Sequence, residues 1–328
     1  MNDKKVMPVT IITGFLGSGK TTLLNELLKQ NTDTNFLIIE NEFGKINIDS
    51  DLISNNSQND IREFTSGCIC CSLSTELGTL LNSLILTNAQ YDYILIEATG
   101  IADPGQVIKM FTGERAQKYF KLDSVVGMVD AESFINRINE FKEAYNQIAQ
   151  SDIVLINKSD LISDEKMAEV EQNVYTVNPF AKVEKTVHGR VKENKILNSE
   201  LFQSSKTEKS ISDFNISETA DSTNTKTHQI KTLSYQIPGC FDMERLSVWL
   251  KFFLLMNTDN VLRLKGVLSV ENEKNKIILQ SVGKDYQLSK GSEWEEEDKK
   301  ESKIIIIGTD LKEIENEIKE GLINLVRK

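Results

Sequence analysis

The stretch Gly14-Phe15-Leu16-Gly17-Ser18-Gly19-Lys20-Thr21 follows a short apolar run over 7–13. It precedes Leu23, Leu24, Leu27 and Leu28, which recur at helical spacing. A strand that runs through glycines into a helix leaves backbone N–H groups converging at the positive end of that helix, a cradle for phosphate. The full eight-residue pattern constrains the fold as well, because such a turn joins a strand to a helix packed on its sheet. Further apolar runs at 35–39, 93–96, 124–129 and 153–156 alternate with helical patterns at 72–86, 132–149 and 164–177. Continuous apolar strands between helices imply an α/β fold, a mainly parallel sheet covered by helices on both faces. Ligands of such sheets sit at the C-terminal ends of the strands, where every motif described below falls.

Later in the chain the composition shifts. Residues 203–228 are rich in Ser, Thr, Asn, Asp and Lys, and read as a flexible linker. A strand at 230–237 follows, then a helix from about Asp242 with a buried stripe of Leu246, Trp249, Leu250 and Phe253. Strands are expected at 261–270, 276–282 and 303–308, with the acidic stretch 293–298 a solvated loop around Trp294. Asp310-x-x-Glu313 resembles a capping box opening a last helix, with Leu311, Ile314, Ile318 and Leu322 on its buried face. The expected organisation is a phosphate-loop domain at 1–202, the linker at 203–228 and a small α+β domain at 229–328.

A formal net charge of −11 argues against a general nucleic-acid or anionic-membrane surface. No stretch reaches the roughly 18–20 apolar residues of a membrane span, and no secretory signal is visible. The expected location is therefore the cytoplasm, where Cys68, Cys70, Cys71 and Cys240 stay reduced. Clustered thiols there point to metal or redox chemistry before a disulfide.

In the loop, Gly14, Gly17, Ser18, Gly19, Lys20, Thr21 and Thr22 are the candidate phosphate binders, with Lys20 on the β- and γ-phosphates and the Thr21 hydroxyl on Mg²⁺. Asn157-Lys158-Ser159-Asp160 ends the run at 153–156. A carboxylate at Asp160 can accept hydrogen bonds from guanine N1–H and the 2-amino group, which adenine does not offer, while Lys158 lays its stem along the base. This favours GTP over ATP. The run at 93–96 ends in Glu97-Ala98-Thr99-Gly100. Glu97 is placed to hold Mg²⁺ through water or to orient the attacking water, and Gly100 to offer its N–H to the γ-phosphate. The following Ile101-Ala102-Asp103-Pro104-Gly105 makes a switch segment. Lys20, Glu42 and Glu97 form the candidate catalytic set.

Gly67-Cys68-Ile69-Cys70-Cys71-Ser72 places three thiols in four positions between the nucleotide motifs. Thiolates bind Zn²⁺, Cu(I) and other divalent ions. Three ligands from one turn leave a position for another group: Glu40, Glu42, Cys240, His188, water or a partner protein. Small cysteines packed at a helix start, or a redox pair, are the other readings of the same residues.

Together these motifs resemble the CobW-like metallochaperone GTPases, a branch of the phosphate-loop GTPases, over nearly the whole chain. The carriers are Gly14–Thr22, Asn41-Glu42-Phe43-Gly44, Gly67–Ser72, Glu97–Pro104, Asn157–Asp160 and, in the C-terminal part, Arg263-Leu264-Lys265-Gly266. The stretches Ile39–Gly44, Thr99–Gly105 and Thr186-Val187-His188-Gly189 look most like the bacterial YjiA-type branch. The resemblance implies GTP hydrolysis to GDP and phosphate coupled to binding of zinc or cobalt by Cys68, Cys70 and Cys71, with Glu40 nearby, and delivery to a client metalloprotein by a monomer or homodimer. Two departures stand out. Lys45 occupies a position that is often acidic in the family, and the 203–228 segment holds only His228 where many members have a histidine-rich loop. One small thiolate site is expected rather than a metal store. A nucleotide-gated protein-binding module with structural cysteines, or a phosphotransferase, are the competing functions.

Overall fold

The computed structural model describes residues 6–41, 60–64, 72–87, 89, 91–100, 103–191, 196–202, 204–212 and 230–326. Cys68, Cys70, Cys71, Glu42 and Lys45 lie outside these residues. The chain forms two compact units, one of Met1–Glu171 with Ala181–Leu201, the other of Gln172–Phe180 with Phe202–Lys328.

The first unit is built on seven strands: β1 (Met7–Gly14), β2 (Phe36–Asn41), β3 (Asp60–Phe64), β4 (Tyr93–Glu97), β5 (Phe120–Asp130), β6 (Ile153–Asn157) and β7 (Lys182–Lys185). They pair in the order β3-β2-β4-β1-β5-β6-β7. Every pair is parallel, so all seven strands end on one edge. The helices are α1 (Lys20–Gln30), α2 (Ser72–Thr87), α3 (Pro104–Thr112), α4 (Glu114–Gln117), α5 (Phe134–Glu140), α6 (Lys142–Gln150) and α7 (Asp164–Val177), the last running on into the second unit. Leu23, Leu24, Leu27 and Leu28 of α1 pack on Ile12, Leu95, Val126, Met128 and Leu155. The alternate strand residues Ile11, Ile94, Ile96 and Val125 are buried too, and α3 and α6 lie against β1 and β5. The fold is thus the expected sheet with helices on both faces.

Between β1 and β5 the register skips: Val9 pairs with Leu122 and Thr10 with Ser124, leaving Asp123 as an extra residue. The Asp123 carboxylate accepts from the Tyr93 hydroxyl at 2.6 Å and from the backbone N–H groups of Ser199 (3.1 Å) and Glu200 (2.6 Å). Burial, then the Asp123 charge, then its hydrogen bond push the Tyr93 hydroxyl far above the usual tyrosine value.

The second unit holds an antiparallel sheet in the order β11-β10-β9-β12-β8. Its strands are β8 (Ile230–Pro238), β9 (Val261–Leu268), β10 (Asn275–Val282), β11 (Asp285–Glu293) and β12 (Glu301–Thr309). One face packs on α9 (Met243–Met256) and α10 (Glu315–Asn324) through Leu246, Leu250, Leu264, Ile306, Ile318 and Leu322. On the other, Val267, Ile278 and Ile305 meet Ile211 of α8 (Ser204–Ser212).

Several local expectations differ from the structure. The helical pattern at 132–149 is two helices, α5 and α6, broken at Phe141, whose backbone is extended. Residues 204–212, read as linker, form α8, because Thr207 and Ile211 are buried and Glu208 bonds Ser292 and Lys276. Asp310 opens no helix. It sits at φ +53° in a turn that buries Leu311, and α10 starts at Glu315. The polar strands β3, β7 and β11 carry no apolar run, so their order comes from pairing with the strand beside each.

Candidate functional site

At the C-terminal edge of the parallel sheet, β1 runs through Gly14 into the loop and α1 begins at Lys20. Gly19 caps that helix in a left-handed conformation, φ +104°, and gives α1 no side-chain cap. A β-carbon at Gly19 would overlap the Asn157 side-chain amide, so the reader and the loop require glycine there. A β-carbon at Gly100 would lie 2.6 Å from the backbone nitrogen of Leu16, which seats the segment after β4 directly on the loop. Lys20 is only 7 % exposed and its Nζ donates to the carbonyl of Phe15 at 3.4 Å. The Phe15 ring packs against Phe141 (centroids 5.0 Å apart), with the Arg137 guanidinium 4.5 Å above it.

The Thr21 hydroxyl donates to Glu97 Oε1 at 3.2 Å. Among the described residues, the hydroxyls of Thr13, Ser18 and Thr99 are buried with no hydrogen-bond partner. A buried polar atom left unsatisfied costs about 1–3 kcal/mol.

The base-reader segment is tied to the loop through one side chain. Asn157 Nδ2 donates to the carbonyl of Ser18 at 2.9 Å, while its Oδ1 accepts from Thr186 Oγ1 (3.2 Å) and the Gly189 N–H (3.0 Å). Asn157 therefore welds three segments together. Lys158 sits at φ +58° and pairs with Asp130 Oδ2 at 2.7 Å. Asp160 is exposed in the short 3₁₀ turn Ser159–Leu161.

These residues enclose a cavity of about 440 Å³. Leu16, Gly17, Gly19, Lys20, Thr21 and Thr22 line it from the loop, Glu97 from β4, and Asn157, Lys158, Asp160, Leu161 and His188 from the reader side. Gly17, Gly19, Lys20, Thr21, Thr22, Glu97, Asn157, Lys158 and Asp160 thus meet in one place, with Gly100 seated beside them on Leu16, while Gly14 and Ser18 of the loop are not part of the cavity lining.

On the metal side the three thiols lie outside the described residues, while Glu40 is described. It lies at the end of β2, 8 % exposed, and pairs in register with Glu97 of β4 and with Glu63 of β3. Neighbouring parallel strands are about 4.8 Å apart, so Glu40 and Glu97 stand side by side. Of the other groups offered as a fourth ligand, His188 lines the nucleotide cavity, and the Cys240 thiol lies in the second unit, 3.2 Å from Ser269 Oγ. Among the described residues no group of three or more His, Cys, Asp or Glu side chains is arranged to hold a metal.

Sequence reasoning did not single out Asp130, which closes β5 in register with Asn157 and holds Lys158. Partial burial disfavours its charged form. The Lys158 hydrogen bond, the N–H groups of Glu132 and Ser133, and the Lys158 charge outweigh that and hold the carboxyl below its usual value. A signal was present, since an apolar run ending in Asp130 has the same form as the run ending in Glu97.

Comparison with known proteins agrees with this geometry. Residues 8–185 match the CobW/HypB/UreG nucleotide-binding domain, and residues 230–326 match the cobalamin synthesis protein cobW C-terminal domain. The chain is 33 % identical over 320 residues to the zinc chaperone YjiA of Escherichia coli, covering 94 % of this chain and 95 % of that one. It superposes on the crystal structure of the Zn(II)-bound E. coli YjiA GTPase with a TM-score of 0.72, at 28 % identity, over 99 % of this chain and all of that one. A Zn(II)-bound YjiA variant with one glutamate and two cysteines replaced by alanine matches with a TM-score of 0.73, at 27 % identity, over 98 % of this chain and all of that one. Among the described residues no helix is long and apolar enough to cross a membrane. The chain belongs to the CobW family, with a CobW/HypB/UreG nucleotide-binding domain followed by a CobW C-terminal domain.

Proposed function

We propose that this chain is a cytoplasmic GTP-hydrolysing metallochaperone that binds GTP with Mg²⁺, carries zinc or cobalt at a thiolate site, and passes the metal to a client metalloprotein. The observation that carries the reading is the single cavity where the phosphate loop, Glu97 and the Asn157–Asp160 segment meet, with Glu40 on the strand beside Glu97.

Lys20 binds the β- and γ-phosphate oxygens and stabilises the charge that develops as the γ-phosphoryl is transferred. The loop N–H groups and the N-terminus of α1 hold the remaining phosphate oxygens. The Thr21 hydroxyl and the Glu97 carboxylate are hard oxygen donors of the kind Mg²⁺ prefers, and they would hold that ion, which neutralises phosphate charge. Glu97 and Glu42 orient water. Asp160 accepts from the guanine N1–H and 2-amino groups, and Lys158, fixed by Asp130, covers the base.

Cys68, Cys70 and Cys71 with Glu40 take the cargo metal. Because Glu40 and Glu97 are register neighbours, the cargo and nucleotide sites share one rigid piece of sheet, and each occupant changes the affinity of the other by the same factor. The E. coli relative is named a zinc chaperone and has been solved with Zn(II).

The test is a pair of measurements: phosphate release from GTP, and Zn²⁺ affinity in the presence of a non-hydrolysable GTP analogue or of GDP. Equal Zn²⁺ affinities in the two nucleotide states would sink the coupling. Because the YjiA variant lacking one glutamate and two cysteines still holds Zn(II), total zinc content does not discriminate. The control is the affinity lost on changing Cys68, Cys70 and Cys71 to serine.

A further inference from the structure

We propose that the His188 imidazole is a specificity-determining group that contacts the base of the bound nucleotide, donating to the O6/N7 edge of guanine while Asp160 reads the opposite edge. The inference rests on the GTP reading above and deepens it.

His188 lines the same cavity as Lys158, Asp160 and Leu161, the residues expected to face the base. It reaches that place at a backbone cost. Its φ is +52°, and a residue with a β-carbon in the left-handed region loses about 1–2 kcal/mol relative to the right-handed one. Glycine or asparagine would occupy the turn with less strain.

The turn does not relax because its surroundings over-determine it. Gly189 N–H and Thr186 Oγ1 both bond Asn157 Oδ1, at 3.0 and 3.2 Å. Thr186 N–H bonds the Ile156 carbonyl at 2.8 Å, and Ser159 N–H bonds the Thr186 carbonyl at 3.2 Å. Gly189, at φ +65°, presses on α1 so closely that a β-carbon would lie 2.8 Å from the Leu23 nitrogen. Every anchor of this turn is the reader or the helix that carries the phosphate loop. Strain held in place by a ligand-binding framework is a mark of function at the strained residue.

The chemistry of the imidazole fits one side of the base. Guanine presents two acceptors, O6 and N7, on the edge that Asp160 does not read, whereas adenine presents an amino donor in place of O6. An N–H from His188 complements the first and repels the second. Acceptor and donor, supplied by chain segments about 28 residues apart but clamped by one asparagine, then grip the base from two sides.

The experiment measures dissociation constants of GTP, GDP, ITP and ATP for wild-type protein, His188→Gly, His188→Asn and Asp160→Ala. Inosine keeps O6 and N7 but lacks the 2-amino group. His188→Gly relieves the left-handed strain, so it folds at least as well, with an unchanged or higher melting temperature. It is expected to weaken GTP, GDP and ITP by the same factor, about tenfold, and to leave ATP bound no less tightly than before. His188→Asn, which keeps an N–H donor and tolerates the turn, recovers part of the loss. Asp160→Ala instead removes the preference for GTP over ITP. Affinities of His188→Gly for GTP and GDP within twofold of wild type would overturn the inference and leave the GTP reading intact. Wild-type protein binding ATP as well as GTP would overturn the GTP reading, and this inference with it.

Discussion

The two sheets of this protein bury polar groups in different ways. In the parallel sheet, Ser18, Lys20, Glu40, Thr99 and Asn157 are buried close to the strand ends on one edge, and Lys20 and Asn157 among them line the nucleotide cavity. In the antiparallel sheet the buried cations Arg263 and Lys265 lie within β9, and Gln280 lies within β10. Lys265 Nζ sits 5.7 Å from the Phe180 ring centroid, and Gln280 donates to the carbonyl of Phe202 at 3.1 Å. The cause is topological. Parallel strands all end on the same edge, so their loops collect polar side chains around one point. Antiparallel strand ends alternate, so polar groups stay where packing puts them. The first arrangement makes a site, and the second makes a structural core with polar members.

The sharpest way to break this comparison is Lys20→Ala. It should lower GTP hydrolysis by about 10²–10³-fold while the melting temperature of nucleotide-free protein stays within a few degrees. Hydrolysis near the wild-type rate would show that the loop is not the reacting centre. Leu250→Ala, in the core of the second unit, should do the reverse. It should cost about 2–5 kcal/mol in denaturant unfolding and leave the GTP dissociation constant unchanged. Asp130→Asn comes next. It frees Lys158 and should weaken GTP and GDP together, by about three- to tenfold.

Asp130 also sets a direction with pH. Its folded value is depressed, so its contribution to stability is fully present above the unfolded value of about 3.9 and is lost as pH falls through the folded value. The stability difference between wild type and Asp130→Asn should therefore be flat from pH 5 to 8 and shrink only under more acid conditions. Urea unfolding at several pH values reads this, and a difference that vanished near pH 6 would contradict it. The smallest effect is expected from Tyr93→Phe, about 1 kcal/mol, because Asp123 keeps the N–H groups of Ser199 and Glu200. GTP affinity should not move, since this network is not part of the nucleotide cavity.

Much of the first unit was legible because its signals are local. The run at 153–156 that forms most of β6 is apolar and wholly buried, and the phosphate loop specifies its strand and helix by itself. What stayed hidden depends on partners far along the chain. β7 is Lys182-Val183-Glu184-Lys185, a sequence with no strand signal, and it is ordered by the ladder it makes with β6. α8 sits in a polar segment and is fixed by Glu208 bonding Ser292 and Lys276. The break between α5 and α6 falls at Phe141, which leaves the helical pattern to meet Phe15. In the site, the residue types of the loop and reader could be read one motif at a time, whereas the Asp130–Lys158 pair and the place of His188 on the cavity wall exist only after folding.

Gly19 offers α1 no side-chain cap, and the consequence is thermodynamic. A helix that folds against bound phosphate has the nucleotide as its N-terminal cap, so the ligand completes a secondary structure and not only a cavity. Ligand at a hundred times its dissociation constant adds about 2.7 kcal/mol to the folded state. In a medium rich in GTP and GDP the protein is therefore most vulnerable to unfolding and proteolysis in the interval between releasing one nucleotide and taking up the next, and the lifetime of the molecule is tied to how quickly it turns over.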